Sequence, residues 1–279
     1  MNEIRIDALL PGEMAVRAEY LGVRKAENSV RRTFALAVLA GAFISFGGVF
    51  ATNTAAGTAS LPFGLAKLVT GLVFCLGLIL VVIAGAELFT GNNLIVMAWA
   101  SRKVSTKALL RNWGIVYVGN FVGSVGTAVL VFFSRQYQFG GGAVGATALK
   151  IAAGKVSLDF GQAIALGILC NVLVCLAVWL TFSARSVMDK IAAVIFPVTA
   201  FVAAGFEHSI ANMYFIPYGL IIKAMDSSFA AGTGLDLTGL TWGTFLVNNL
   251  LPVTIGNIIG GGLLVSAAYW SIYLKNREE

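Results

Sequence analysis

The sequence predicts an all-α membrane protein with six transmembrane helices, built as an inverted repeat of three helices whose second and fifth members are broken. Three observations carry this reading. The 279 residues are 58% hydrophobic and only 11% charged, against about 25% charged in an ordinary soluble domain. The apolar residues fall into six runs, near 33–51, 62–101, 109–133, 159–182, 188–225 and 242–274; the second and fifth are too long for one plain helix and carry polar, glycine-rich interruptions. Those two interruptions also match each other in sequence. A spanning helix needs about 20 residues, so this length leaves no room for a sizeable soluble module.

Residues 1–30 read as a cytoplasmic amphipathic tail. After Pro11, Met14, Ala18 and Leu21 recur at helical spacing among Glu13, Arg17, Glu19 and Arg24, the pattern of a short helix lying on the membrane face, with a pore lid as the sharper alternative. The opening "MNEIRIDALLPGEMAVRAEY" has no apolar core of the cleavable-signal type, so the first span is expected to act as its own insertion signal. The transmembrane domain then covers 31–279, with repeat one at about 31–133 and repeat two at about 159–274. Fourteen of the 19 Lys and Arg fall in the tail, the loops after the second and fourth segments, and the C-terminus. The other five are Lys67, Arg135, Lys150, Lys155 and Lys223. The positive-inside rule then puts both termini in the cytoplasm of an inner (plasma) membrane protein, with loops 52–61, 134–158 and 226–241 outside. Loop 134–158 is the odd one, since it holds three of those five charges. Trp99, Trp113, Trp242, Trp270 and Trp179 read as interface anchors near span ends.

The repeat is visible at the breaks. "GAELFTGNN" from Gly85 matches "GFEHSIANM" from Gly205 at Gly85/Gly205, Glu87/Glu207 and Asn92/Asn212, at a constant offset of 120. "GNFVGS" from Gly119 matches "GNIIGG" from Gly256, and "LAVLAGAFIS" from Leu36 lies on "LGILCNVLVC" from Leu166. Three is odd, so the second copy enters the membrane from the opposite side and the breaks meet near the midplane. Irregular backbone is tolerated at that depth only where it is buried in protein or lines a cavity. The paired breaks therefore mark a solute path. Gly119/Gly123 and Gly256/Gly260 allow close helix approach.

Four stretches resemble the formate/nitrite transporter family, and most of all its formate channels: "AELFTGN", "LGILCNVLVCLAVW", "GFEHSIANMYFIP" and "PVTIGNIIGGGLLV". The resemblance implies an aquaporin-like fold, a homopentamer with one pore per protomer, and passage of small monovalent anions such as formate. Nitrite or hydrosulfide is the alternative within the family; a neutral-solute or ammonia channel is the alternative outside it. It also implies that the central pore histidine is His208, with Thr90 as its hydrogen-bonding threonine and Asn171 nearby. The constrictions would be Phe74 and Phe201 on one side, and Leu78 and Leu88 on the other. Glu207, Asn257 and Lys25 would form a polar cluster fixing the broken helix and its link to the tail.

The residues themselves agree with an anion path. His208 is the only histidine, and an ionisable group at the bilayer centre costs roughly 2.5–3.5 kcal/mol, which by default marks a site. No Lys or Arg lies between Lys67 and Arg102 or between Lys190 and Lys223, which suits weak binding and quick release. Broken-helix ends are expected to offer N–H groups to a carboxylate. Glu207 and Glu87 are expected to turn aside from the path and cap freed backbone donors. No catalytic nucleophile, cofactor or metal site is expected: Cys75, Cys170 and Cys175 lie in apolar runs without metal-ligand spacing. The net charge of +6 is explained by topology and not by nucleic acid.

Overall fold

The structure, a computed structural model, describes residues 8–58 and 60–275. Arg5 and Arg277, counted above for orientation, lie outside the described residues. In order, the helices are α1 Pro11–Glu27, α2 Val30–Ala56, α3 Phe63–Ala84, α4 Val96–Ala100, α5 Thr106–Phe133, α6 Ala143–Val156, α7 Phe160–Ser183, α8 Val187–Ala203, α9 Ser209–Met225 and α10 Ser227–Gly232. A last helix, α11, runs Trp242–Tyr273 and widens to π geometry over Phe245–Leu250 and Ile259–Ala267. A 3₁₀ turn, Gly91–Ile95, leads into α4. Among the described residues the architecture is all-helical, and α2, α3, α5, α7 and α11 are long and apolar enough to cross a membrane.

The local sequence explains where helices begin and end. Ser29, Ser105 and Thr241 cap α2, α5 and α11 by accepting the amides of Arg32, Ala108 and Thr244, which satisfies donors that have no partner inside the helix. α3 and α8 both stop on the same device. Gly85 has φ +80° and Gly205 φ +73°, a left-handed conformation open to glycine. The next amides then fold back: Ala86 donates to the Val81 carbonyl and Phe206 to the Phe201 carbonyl.

One expected boundary moves, and two expected loops keep their bounds but contain helices. The 52–61 loop starts later, because α2 continues to Ala56. Thr52 and Asn53 stay helical by donating to the carbonyls of Gly48 and Val49. The 134–158 loop contains α6, whose Val144, Ala148, Leu149, Ala152 and Val156 are buried. A glycine triplet before it and three charges around it mask this apolar stripe in the sequence. The 226–241 loop holds α10, and Lys223 donates to the Leu237 and Leu240 carbonyls across it.

The tail also differs from a surface anchor. α1 docks on the protein, burying Met14, Ala15 and Ala18 against a cluster that includes Leu94, Met97, Cys175 and Trp179, and Gly22 and Ala26 beside Ile95 and Ala98. Glu19 pairs with Lys103, and the Ser183 hydroxyl donates to the Leu9 carbonyl. Trp179 is therefore no interface anchor: it is buried and stacks on Tyr269 at 4.4 Å.

Two glycine seams set the helix spacing. A Cβ on Gly41 would stand 2.2 Å from the Asn120 carbonyl oxygen, and one on Gly123 2.0 Å from that of Val38, so α2 and α5 touch backbone to backbone. α7 and α11 repeat this: Cβ atoms on Gly256 and Gly260 would stand 2.3 Å from the carbonyl oxygens of Ile164 and Ile168. Neither side of such a contact has a side chain to move. Gly123→Ala should thus cost at least the ~1–3 kcal/mol typical of overpacking. Gly126→Ala, in the same helix with nothing within 4 Å of its Cβ, should be neutral or gain up to about 1 kcal/mol. Thermal unfolding of the two variants in detergent, side by side, checks this; equal melting temperatures would refute the seam.

Candidate functional site

Each break is held by an asparagine from a neighbouring helix. At the first break, Asn120 of α5 donates through Nδ2 to the Ala37 carbonyl (2.8 Å) and the Glu87 carbonyl (2.9 Å), while its Oδ1 accepts the Phe89 amide at 2.9 Å. At the second, Asn257 of α11 donates to the carbonyls of Gly167 (2.8 Å) and Glu207 (3.0 Å) and accepts the Ser209 amide at 3.0 Å. The Glu87 amide donates to the Leu36 carbonyl and the Glu207 amide to the Leu166 carbonyl. Every partner in one set corresponds to its counterpart in the other. Both asparagines are fully buried, where an unmade backbone hydrogen bond costs about 1–3 kcal/mol.

The carboxylates do a different job from the one expected of them. Backbone donors at the breaks are taken by Asn120 and Asn257, whereas Glu87 and Glu207 bind side chains. Glu87 accepts Lys25 Nζ at 2.9 Å and Asn92 Nδ2 at 2.6 Å. Glu207 accepts Lys155 Nζ at 2.7 Å, Asn212 Nδ2 at 2.7 Å and Asn249 Nδ2 at 3.2 Å. Lys25 is thus brought to Glu87 and not to Glu207 and Asn257; the lysine of their cluster is Lys155, which the sequence reading left in a loop. The signal for it was present, because Lys25 and Lys155 stand 130 apart, like Leu36 and Leu166.

His208 and Thr90 meet between the two breaks. His208 Nε2 and Thr90 Oγ1 are 2.9 Å apart, and His208 Nδ1 accepts the Ala211 amide at 3.0 Å as the N-cap of α9. A backbone amide only donates, so Nδ1 is the acceptor and the neutral ring carries its proton on Nε2, facing Thr90. Thr90 keeps its own hydroxyl proton for another acceptor. Asn171 Nδ2 ties the pair to both breaks, reaching the Thr90 carbonyl (3.3 Å), the Asn257 carbonyl (2.7 Å) and Asn93 Oδ1 (3.2 Å). The expectation of helix-end amides facing an anion narrows here, because the Ser209 and Ala211 amides are both committed to side chains.

Two cavities approach this pair. One, of about 370 Å³, is lined by Leu78 and Leu88 and bordered by Arg17, Lys25, Arg32 and Lys190. The other, of about 380 Å³, is lined by Phe74, Phe201 and His208 and bordered by Lys67, Lys150 and Lys155. Phe74 and Phe201 meet edge to face at 5.9 Å, and Phe201 stacks on the His208 ring at 5.9 Å and 17°. Phe74 and Leu78 are one turn apart on α3 and line different cavities. Each cavity contains one carboxylate, Glu87 or Glu207, and each carboxylate already has its lysine. The remaining charges around both are positive.

The chain has counterparts among known proteins. The formate/nitrite transporter family model matches residues 12–271. The formate channel FocA of Escherichia coli strain K12 is 48% identical over 276 residues, covering 98% of this chain and 97% of that protein. FocA of Haemophilus influenzae is 42% identical, covering 92% of each. A solved pentameric formate channel with formate bound superposes with a TM-score of 0.83 at 49% identity, covering 88% of this chain and 98% of that one. An ion channel of the same family gives 0.80 at 26% identity, covering 93% and 98%. With the family model spanning nearly the whole chain and relatives of this identity over nearly their full length, the chain belongs to the formate/nitrite transporter family.

Proposed function

We propose that this protein is a channel for small monovalent anions, formate foremost, with one pore in each protomer of a homopentamer in the inner (plasma) membrane. The observation that carries it is the Thr90–His208 pair, buried between two cavities whose charges in excess of the two ion pairs are all cationic. The relatives named as formate channels supply the solute, and the pentameric one supplies the assembly. The reading has six crossings, with α3 and the 3₁₀ turn plus α4 as the broken second, and α8 plus α9 as the broken fifth. The tail is 1–30 and the channel domain 31–279, with three-helix repeats at 31–133 and 159–274. The matched Asn120 and Asn257 bonding supports that repeat. Both termini are cytoplasmic, in line with the positive-inside rule. Lys155 and Lys223, two of the exceptions to it, are engaged by Glu207 and by carbonyls.

An anion drawn in by the cationic rims sheds water at the apolar constrictions, Leu78 with Leu88 and Phe74 with Phe201, since such narrowings exclude hydrated ions. At the centre it meets the Thr90 hydroxyl proton, and Nε2–H when the pair opens. No fixed charge holds it there. Nδ1 cannot carry a proton while it caps α9, so the proton available for sharing with a weak acid is the one between Nε2 and Oγ1. A neutral ring lends that proton as a hydrogen bond and cannot give it up without becoming imidazolate, so the solute crosses in near-neutral form by taking its proton from water in the cavities. Glu207, Asn257, Lys25 and Glu87 hold the frame, and the reading contains no catalytic step.

Formate flux into liposomes, followed against pH beside nitrite, hydrosulfide, acetate and lactate, tests solute and histidine together. His208→Phe and His208→Asn are expected to flatten the pH profile and lower formate flux at least about tenfold. Unchanged flux with an unchanged profile sinks the role of His208. Glu207→Gln is expected to destabilise more than Glu87→Gln, because the Lys155 side chain it abandons is 17% exposed against 33% for Lys25. Breaking a fully buried pair costs about 3–5 kcal/mol, and this partly exposed one belongs at or below the lower end. Cation flux through a well-folded Glu207→Gln channel would contradict the structural role.

A further inference from the structure

The correspondence between the halves extends to two residues that nothing above assigns. Asn112 and Asn249 each stand eight positions before the asparagine that holds a break, Asn120 or Asn257. Asn112 Oδ1 accepts Asn92 Nδ2 at 2.9 Å, and its Nδ2 donates to the Lys25 carbonyl at 3.2 Å. Asn249 Oδ1 accepts Asn212 Nδ2 at 2.7 Å, and its Nδ2 donates to the Lys155 carbonyl at 2.8 Å. Both are buried, at 2% and 0% exposure. Lys25 lies in the last turn of α1 and Lys155 in the last turn of α6. α1 is therefore the first half's equivalent of α6, although one begins the chain and the other fills a connection between spans.

We propose that Asn112 and Asn249 are positioning residues. Each clamps the last turn of a short helix, α1 or α6, to the asparagine–carboxylate pair beside a break. Each thereby sets the residue that follows the carboxylate, Leu88 or His208. The first link needs only the geometry above; the consequence for the path rests on the proposed channel. The two clamps are unequal. Asn249 also donates to Glu207 Oε2 at 3.2 Å, and among the described residues no bond from Asn112 to Glu87 parallels it. Lys25 is also the more exposed lysine. The α1 clamp is the one that opens first.

Hydrogen exchange of the full-length protein in lipid nanodiscs, read peptide by peptide, decides this. Asn112→Ala should raise exchange about tenfold over residues 11–27 and 85–95, the scale of one lost net hydrogen bond, and leave 143–156 and 205–212 unchanged. Asn249→Ala should do the converse. In wild type, 11–27 should exchange faster than 143–156. Equal rises in both halves, or none, overturn the clamps. If an alanine variant does not assemble, Asn→Ser at the same site, which keeps a small donor, is measured against the same expectation. In liposomes, Asn112→Ala should raise the lactate-to-formate flux ratio several-fold by freeing Leu88; an unchanged ratio overturns the positioning of the path. Wild-type flux is the separate control: no formate flux there removes the channel reading and leaves the exchange result to judge the clamps.

Discussion

The structure depends on satisfying the backbone where two apolar helices, α3 and α8, stop beside buried residues. Hydrocarbon offers no partners to free amides and carbonyls, so the protein must bring them. One side-chain amide does this at each break, with Asn120 or Asn257 bonding the carbonyl before it, an amide after it and a carbonyl of the first helix in its half. An asparagine is short. It reaches all three only if its own helix lies against that first helix with nothing between, which is the geometry the glycines at 41, 119 and 123 permit and those at 167, 256 and 260 repeat. The seams and the breaks are thus one device. Close packing delivers the amide, and the amide makes the break affordable.

The carboxylates extend the same logic from hydrogen bonds to charge. A glutamate facing an anion path repels the solute, and an unpaired buried one is expensive. Lys25 and Lys155 remove both problems, leaving each carboxylate neutralised and pinned by a second bond from Asn92 or Asn212. The lysines come from helices that run beside the spans, so α1 and α6 are required by the breaks and are not decoration on the membrane surface. This explains positive charge in a connection where the topology rule does not expect it.

Much of this was legible in the sequence because it is periodic or repeated. The two Gly-x-Glu breaks and the Gly-Asn pairs at 119–120 and 256–257 are local patterns, and the structure ends α3 and α8 at those breaks. What escaped were features whose meaning is a distance across the fold. Lys155 looked like a loop charge because only tertiary packing brings it 2.7 Å from Glu207. Asn112 follows Arg111 and Asn249 follows Asn248 in otherwise apolar runs, and each has partners on two other elements. Trp179 looked like an interface residue from its place near a span end, yet α1 and α11 cover it, a relation no window of sequence contains.

The same correspondence explains why the centre holds one polar pair and not two. At the 120-residue offset Leu88 is the mate of His208, and Thr90 is the mate of Ile210. One break carries Leu and Thr at these positions, and the other His and Ile. The imidazole of His208 finds its partner in Thr90, from the other break. The bonding around the two breaks corresponds partner for partner, and the divergence at two positions within it leaves a single Thr90–His208 contact.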